Sequence, residues 1–231
     1  MLKHSFMPTL KTMIINEADL KRFSNQHIII IPIRSFSSGK SRLSSVLSQQ
    51  QRSELMQYCA NSVIGATGDI PTIVISSDPQ VQSFALERGK FCLPDPGSTL
   101  NQIINNLYKA SFEFGISHLT VAHGDLPLAR DLTCLKQDLS AVIVPDRHRS
   151  GTNVLSIPTG TKFIFSYGFG SLEKHIQQAR LNNLQVSLVE DPSLMIDIDM
   201  PEDLDQITSK LNWNRKSVAV DDEHKSNRLS E

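Results

Sequence analysis

The sequence predicts an α/β fold, a layered structure in which helices cover a sheet. Segments with strand patterns alternate along the chain with segments of helical spacing. The first strand segment, His27–Ile33, is a continuous apolar run rich in isoleucine, which suits a strand covered on both faces, as in a parallel sheet. The 231 residues contain no internal repeat, and no linker divides their core, so we expect one domain.

Short apolar runs bounded by turn residues mark the strands that follow. The pattern predicts strands over residues 72–76, 91–93, 118–122, 141–144, 153–157, 185–189 and 194–199.

Capping signals mark the helices between these strands. Ser48 with Gln51 forms a capping-box pattern before a helix, and Asp78–Pro79 opens the next one, through about Arg88. Ser98 or Thr99 caps a third. A fourth covers residues 171–182, and Pro201 opens a last helix as its first residue, through about residue 211.

Composition narrows the classes of function. Lys plus Arg total 23 and Asp plus Glu total 24, so the net charge is −1, whereas a nucleic-acid-binding protein normally has a basic excess. No apolar run approaches the length of a membrane span. The three cysteines, Cys59, Cys92 and Cys134, are widely spaced and fit neither a disulfide framework nor a zinc site. We expect a cytoplasmic protein whose partner is a small molecule.

The first chemical motif is a basic loop after the first strand. Gly39–Lys40–Ser41 resembles part of a P-loop, but Arg34 stands where the Walker pattern requires its first glycine. What remains is a loop with Arg34, Lys40 and Arg42, whose side chains can neutralise a triphosphate. A solvated basic turn is the alternative.

The second motif is a set of three aspartates. Asp125 follows an apolar strand, where ligands bind in open α/β sheets. Asp197 and Asp199 lie two apart on a predicted strand and would share a face. Their carboxylates, with that of Asp125, suit Mg²⁺. Alternatively, Asp125 caps a turn and Asp199 caps the helix that begins at Pro201.

Two further segments carry polar or glycine-rich turns. One is PDRHRSGTN, residues 145–153. The other is YGFGS, residues 167–171, which precedes a helix whose free N–H groups could bind phosphate or carboxylate, with Ser171 as a cap or an anion contact. A capped helix without a ligand is the alternative. His123 could line the aspartate site and His175 could approach the same anion, but neither is predicted to be a catalytic base.

Together these motifs resemble the 2-phospho-L-lactate guanylyltransferase family, which acts in coenzyme F-420 biosynthesis. The segments run in order as IPIRSFSSGKSRL, ISSD, LNQII, HGDLPL, PDRHRSGTN, YGFGSLEKH and DIDMPEDL, from about residue 28 to residue 204. The resemblance implies a nucleotide-diphospho-sugar-transferase-like, three-layer α/β sandwich with a mixed, mostly parallel sheet. We expect the whole chain to comprise an N-terminal extension (1–26), a guanylyltransferase domain (27–211) and a flexible tail (212–231), in which apolar residues are sparse.

The resemblance also implies a reaction, its substrates and its residues. GMP from GTP would be joined to a three-carbon phosphoacid (2-phospho-L-lactate, phosphoenolpyruvate or 3-phosphoglycerate), with release of pyrophosphate and transfer of the product to a downstream transferase. Whether the protein forms a homodimer is left open. Carried over by position, the nucleotide side comprises Arg34, Lys40, Arg42, Leu100 and Asn101; the acid side comprises Thr152, Gly168 and Ser171; Mg²⁺ is held by Asp125, Asp197 and Asp199; and Lys40, Arg42 and Asp125 are catalytic.

This sequence departs from the family pattern at two places. Arg34 stands where the family usually has lysine, and His123–Gly124 precedes Asp125 where Pro-Ala or Gln-Ala is commoner. The second departure alters the expected pocket wall and leaves the identity of the acid open. Two other hypotheses stay open: a nucleotidyltransferase of the same fold with another acceptor (a sugar phosphate or molybdopterin), and a non-catalytic nucleotide-binding relative.

Overall fold

A single mixed sheet organises the chain. The computed structural model describes residues 13–95 and 97–207. Within them, seven strands lie in the order β3-β2-β1-β4-β6-β5-β7, and only β6 runs antiparallel to its neighbours. The strands are β1 (His27–Pro32), β2 (Thr72–Ile75), β3 (Phe91–Leu93), β4 (His118–Ala122), β5 (Ser140–Pro145), β6 (Thr152–Pro158) and β7 (Gln185–Leu188). The predicted mixed, mostly parallel sheet is confirmed.

The isoleucine run of β1 shows why the sheet needs cover on both faces. Ile28 and Ile30 pack into one hydrophobic cluster, whereas Ile29 and Ile31 pack into another. Because neighbouring side chains on a strand point to opposite faces, this alternation places an apolar layer on each side of the sheet. All four side chains are fully buried.

Helices supply the two outer layers. They are α1 (Gln49–Gly65), α2 (Pro79–Glu87), α3 (Leu100–Glu113), α4 (Ser171–Leu181), α5 (Pro192–Met195) and α6 (Pro201–Ile207). The predicted capping box of Ser48 and Gln51 is present, and Thr99 rather than Ser98 caps α3. Short 3-10 helices cover Glu17–Phe23, Ser41–Ser45 and Thr133–Leu135. None of the helices in the described ranges is long and apolar enough to cross a bilayer.

The prediction of a strand over residues 194–199 is wrong. The side chain of Asp191 accepts a hydrogen bond from the backbone N–H of Ser193, and Pro192 supplies a preset first helical residue. The short helix α5 therefore forms there, and residues 196–199 follow in an irregular conformation. The alternating pattern of this segment resembles a strand, but it pairs with none of the seven strands of the described sheet.

Part of the N-terminal extension is folded. Ile15, Leu20 and Phe23 are buried in the core cluster, and the N–H of Ile15 donates to the carbonyl of Cys92 in β3 (2.8 Å). Residues 13–26 thus extend the folded unit beyond the predicted start at residue 27. The predicted continuation of the last helix to residue 211 and the predicted flexible tail lie outside the described residues.

Two histidines lie at the beginnings of neighbouring strands, His27 in β1 and His118 in β4. His118 is fully buried against the ring of His27 (centroids 5.4 Å apart), and neither of its ring nitrogens has a hydrogen-bond partner within residues 13–95 and 97–207. Burial, with the nearby charges of His27 and Lys136, lowers the pKa of His118 to about 3. The unfolded chain binds a proton at this residue below about pH 6.5, and the folded chain does not. Stability should therefore fall as pH drops below about 6.5.

We predict that His118→Leu reduces the loss of unfolding free energy between pH 7 and pH 5 by ~2 kcal/mol, because one proton uptake by the unfolded chain is removed. Urea unfolding followed by far-UV circular dichroism at both pH values measures it. The exposed His148 provides the control variant, His148→Gln, which should keep the wild-type pH dependence. Identical pH dependence in His118→Leu and wild type would contradict this account.

Candidate active site

The candidate site lies at the sheet edge where β1 and β4 end. These strands are parallel neighbours, so the loops that follow them meet. The antiparallel strand β6 starts at the same edge, since Ala122 of β4 pairs with Val154 near the start of β6. A cavity of about 600 Å³ opens there. Six of the predicted site residues line it: Arg34, Lys40, Arg42, Leu100, Asp125 and Asp199.

Lys40 is the link between the basic loop and the acidic residues. Its Nζ donates to Oδ2 of Asp125 (2.5 Å) and to Oδ1 of Asp199 (2.7 Å). The Lys40 side chain is only 8% exposed, and its backbone is left-handed, with φ at 57°. Burial is the largest influence on the pKa of Lys40 and would lower it, but the two carboxylates raise it above its ordinary value. The ammonium group therefore stays charged at neutral pH.

The three predicted aspartates do converge. Carboxylate oxygens of Asp125, Asp197 and Asp199 lie within 4.8 Å of one another. Asp197 and Asp199 reach this position from the irregular segment after α5 and not from a shared strand face as predicted. Burial, and then the charges of Asp125 and Asp199, raise the pKa of Asp197 to about 6. One lysine thus faces three carboxylates, and the excess negative charge is concentrated in one place.

This group of side chains has the properties of a divalent-cation site. Carboxylate oxygens are the ligands that Mg²⁺ prefers. Oδ1 of Asp125 is buried and has no hydrogen-bond partner among the described residues. Burial alone would raise the pKa of Asp125, but Lys40 and His123 bring it below its ordinary value, so the carboxylate is ionised. An ionised, buried and unpartnered oxygen beside two further carboxylates fits a bound cation.

A chain of rings connects this cluster to the predicted acid side. His123 lines the cavity, its ring centroid lies 5.2 Å from that of Tyr167, and Tyr167 lies 5.0 Å from His175. Nε2 of His175 accepts from the N–H of Ser166 (2.9 Å), so its Nδ1 donates to the hydroxyl of Thr152 (3.0 Å). Burial lowers the pKa of His175 to about 3, which keeps the ring neutral. His175 therefore holds Thr152 in place.

The remaining predicted site residues lie outside the lining of the cavity. Asn101 binds the backbone of Tyr167 through both amide atoms (3.0 and 2.7 Å). Thr152 and Ser171 are buried, and the N–H of Ser171 donates to the carbonyl of Gly168 (3.0 Å). The nucleotide-binding role of Asn101 and the acid-binding roles of Thr152, Gly168 and Ser171 stay predictions.

The structure adds two residues that the sequence reasoning did not select. Asp203 accepts from the backbone N–H groups of Asp199 and Met200 (both 2.7 Å), and Arg147 forms an ion pair with Asp203. Asp203 is the third residue of α6, a position where acidic side chains often bind back to the backbone before a helix. The position of Asp203 two residues after Pro201, the first residue of the predicted helix, is the sequence signal that could have identified it.

Two solved structures share the fold of this chain. The structure is similar to that of a protein from Desulfovibrio desulfuricans G20 described as a nucleotide-diphospho-sugar transferase, with a TM-score of 0.64 and 15% identity over 84% of this chain and 90% of that one. It is also similar to a nucleotidyl transferase from Methanothermobacter, with a TM-score of 0.52 and 11% identity over 81% of this chain and 98% of that one. At these identities, the similarity establishes the fold.

The sequence establishes the family. The family model described as "Guanylyl transferase CofC like" matches residues 27–215, and the chain belongs to this guanylyltransferase family. A phosphoenolpyruvate guanylyltransferase of Chloroflexus aggregans is 32% identical over 77% of this chain and 95% of its own length. A 2-phospho-L-lactate guanylyltransferase of Methanocaldococcus infernus is 29% identical over 77% of this chain and 82% of its own length.

Gly124 permits the close approach of the two loops at the site. A Cβ atom at this position would lie 2.7 Å from Cγ1 of Ile33, which is buried and lines the same cavity. We predict that Gly124→Ala lowers the free energy of unfolding by ~1–3 kcal/mol, the usual cost of overpacking a filled core.

The matched control is Gly65→Ala, because no atom of the part of the chain that the structure describes lies within 4 Å of the added Cβ atom at the end of α1. Replacing a helical glycine with alanine should leave the protein as stable as wild type or more so, by up to ~1 kcal/mol. Urea unfolding midpoints compare the two variants. Equal midpoints would show that the approach of Ile33 to Gly124 is not tightly packed.

Proposed function

We propose that this protein transfers GMP from GTP to a three-carbon phosphoacid, with Mg²⁺ as cofactor and pyrophosphate as the second product. The acid is 2-phospho-L-lactate, phosphoenolpyruvate or 3-phosphoglycerate, and the product enters coenzyme F-420 biosynthesis. The observation that carries the proposal is the contact of Lys40 with Asp125 and Asp199 at the wall of a cavity that Arg34 and Arg42 also line. A cationic loop against an acidic cluster suits a triphosphate bound together with a metal ion. The names of the relatives support the choice of guanine and of the acids.

The basic loop neutralises the triphosphate in this proposal. Arg34 and Arg42 present guanidinium groups that bind phosphate oxygens in pairs, and Lys40 presents a compact charge. Asp125, Asp197 and Asp199 would hold Mg²⁺. When bound, the metal acts as a Lewis acid that offsets the charge developing on the leaving pyrophosphate. Leu100, at the start of α3, lines the nucleotide side of the cavity.

The reaction needs little acid–base catalysis. A phosphate oxygen of the acid forms a bond to the α-phosphorus of GTP, and the bond from that phosphorus to the β-phosphate breaks, so the electron pair leaves with pyrophosphate. The attacking oxygen is already anionic and has no proton to lose. The nearby histidines agree with this, since burial lowers the pKa of both His123 and His175. Catalysis then depends on alignment and charge neutralisation.

The start of α4 is the proposed site for the phosphoacid. Gly170 precedes the helix in a left-handed conformation, and no side chain caps the helix there. The helix has 11 residues, and the dipole at its N-terminus favours an anion, although the N–H groups of Ser171 and Leu172 already donate to the carbonyls of Gly168 and Ser150. Gly168, with φ at 114°, leaves open space around its Cα, so a ligand can approach the backbone. Thr152 lies beside this helix, because Nδ1 of His175 donates a hydrogen bond to its hydroxyl group.

The direct test is a pyrophosphate-release assay. The purified protein is incubated with Mg²⁺, with GTP, ATP or CTP, and with each of the three acids. The downstream transferase that consumes the product is included, so that product inhibition does not mask turnover. We expect release that requires GTP, metal and one of the acids. Release with a sugar phosphate in place of the acids, or no release with any acid, would overturn the proposal.

Asp199→Asn tests the metal cluster within this assay. Loss of one anionic ligand should lower pyrophosphate release by at least ~10²-fold, because the charge that binds the cation falls while the shape of the side chain is kept. Glu202→Gln is the matched control, since Glu202 is an exposed carboxylate on the same segment, and we expect wild-type turnover from it. Full activity in Asp199→Asn would remove this residue from the metal site.

A further inference from the structure

Asp203 fixes the backbone of the segment that carries Asp199. Its Oδ2 accepts hydrogen bonds from the N–H groups of Asp199 and Met200, both at 2.7 Å. Its side chain is only 4% exposed, so these charge-assisted bonds are shielded from water. The two bonds determine the backbone direction at Asp199, and hence where the Asp199 carboxylate points.

Arg147, in a second loop, holds Asp203. The two side chains form an ion pair, and that of Arg147 is 18% exposed. Arg147 belongs to the loop between β5 and β6, which Asp146 folds by accepting from the N–H groups of Ser150 (2.9 Å) and Gly151 (2.8 Å). Gly151 packs so closely on Asp146 that a Cβ atom would lie 2.7 Å from Oδ2. The loop is therefore a rigid base for Arg147.

The same loop contacts the proposed acid site. The carbonyl of Ser150 accepts from the N–H of Leu172 in the first turn of α4 (3.2 Å), and Thr152 follows directly in sequence. One loop thus binds the start of the helix proposed to hold the acid and, through Arg147 and Asp203, the segment that carries a proposed metal ligand.

We propose that Arg147 and Asp203 are positioning residues that hold Asp199 in place for the metal and couple the metal site to the acid site. The inference rests on the proposed function, because that function makes Asp199 a metal ligand. Neither residue is required to contact a substrate. Partners that orient a metal ligand are known to affect metal affinity or activity by ~10–100-fold when they are removed.

The loop offers its own control. Arg149, two residues after Arg147, also forms an ion pair, with Glu190, but these side chains are 52% and 57% exposed. Exposed pairs contribute little because water screens them. Arg147→Gln and Arg149→Gln therefore remove the same charge from the same loop, and only the first disturbs Asp203.

The experiment titrates Mn²⁺ alone into the full-length protein and follows free Mn²⁺ by electron paramagnetic resonance. We expect Arg147→Gln to weaken Mn²⁺ binding by ~10–100-fold and Arg149→Gln to leave it within about twofold of wild type. Asp203→Ala, which removes the acceptor of both backbone bonds, should weaken it by at least as much. Equal affinities in Arg147→Gln and Arg149→Gln would overturn the proposal.

A second variant separates positioning from loss of fold. Asp203→Asn keeps an oxygen that can accept the two backbone bonds but loses the charge that pairs with Arg147, so we expect it to fold and to bind Mn²⁺ more tightly than Asp203→Ala. Thermal unfolding checks the fold of each variant. If Asp203→Asn and Asp203→Ala both fold and bind Mn²⁺ as wild type does, Asp203 does not position the ligand.

A kinetic readout completes the test. Raising Mg²⁺ should restore turnover in Arg147→Gln, because the misplaced ligand still binds the metal, but not in Asp199→Asn, which lacks the ligand charge. If the proposed function is wrong, the wild-type protein releases no pyrophosphate with any acid. The positioning role is then still tested by the Mn²⁺ affinities of the variants, because that measurement does not depend on turnover.

Discussion

Charge compensation at Asp125, Asp197 and Asp199 is the constraint that the rest of the site must satisfy. Three carboxylates within 4.8 Å repel one another, and the partial burial of Asp125 and Asp197 makes that repulsion stronger than it would be in water, although the Asp199 side chain is half exposed. Lys40 relieves part of it by binding two of them, while burial, and then the charges of Asp125 and Asp199, raise the pKa of Asp197. A structure that keeps such a cluster needs a scaffold that holds the three carboxylates together.

The scaffold comes from the order of the strands. β1 and β4 lie side by side at the centre of the sheet, so the basic loop after one and the aspartate after the other are adjacent although 85 residues separate Lys40 from Asp125. The reversal of β6 places Thr152 at the same edge. Glycine at position 124 lets the two loops approach. The basic loop and the three aspartates thus lie together as opposite local charges, although the net charge of the whole chain is only −1.

Much of this could be predicted from local sequence. The buried strands were recognisable because a continuous apolar run such as that of β1 is typical of a strand covered on both faces. Helix starts were recognisable from capping residues such as Ser48 and Thr99. Leu194–Asp199 was mispredicted because alternating apolar residues match a strand wherever they occur. The segment is instead fixed by Asp191 on its N-terminal side and by Asp203 on its C-terminal side. The pairing of Arg147 with Asp203 joins segments 56 residues apart, and no local pattern specifies it.

The neutral rings around the site explain why such anchoring contacts carry weight. At this site the histidines are neutral, and His175 has both nitrogens engaged, so in the proposed reaction the rate depends on where charges stand relative to the phosphorus. A carboxylate displaced by a fraction of an ångström would then cost rate directly. That is a reason for Asp199 to be held by two backbone hydrogen bonds to a buried, ion-paired side chain and not by the irregular segment alone.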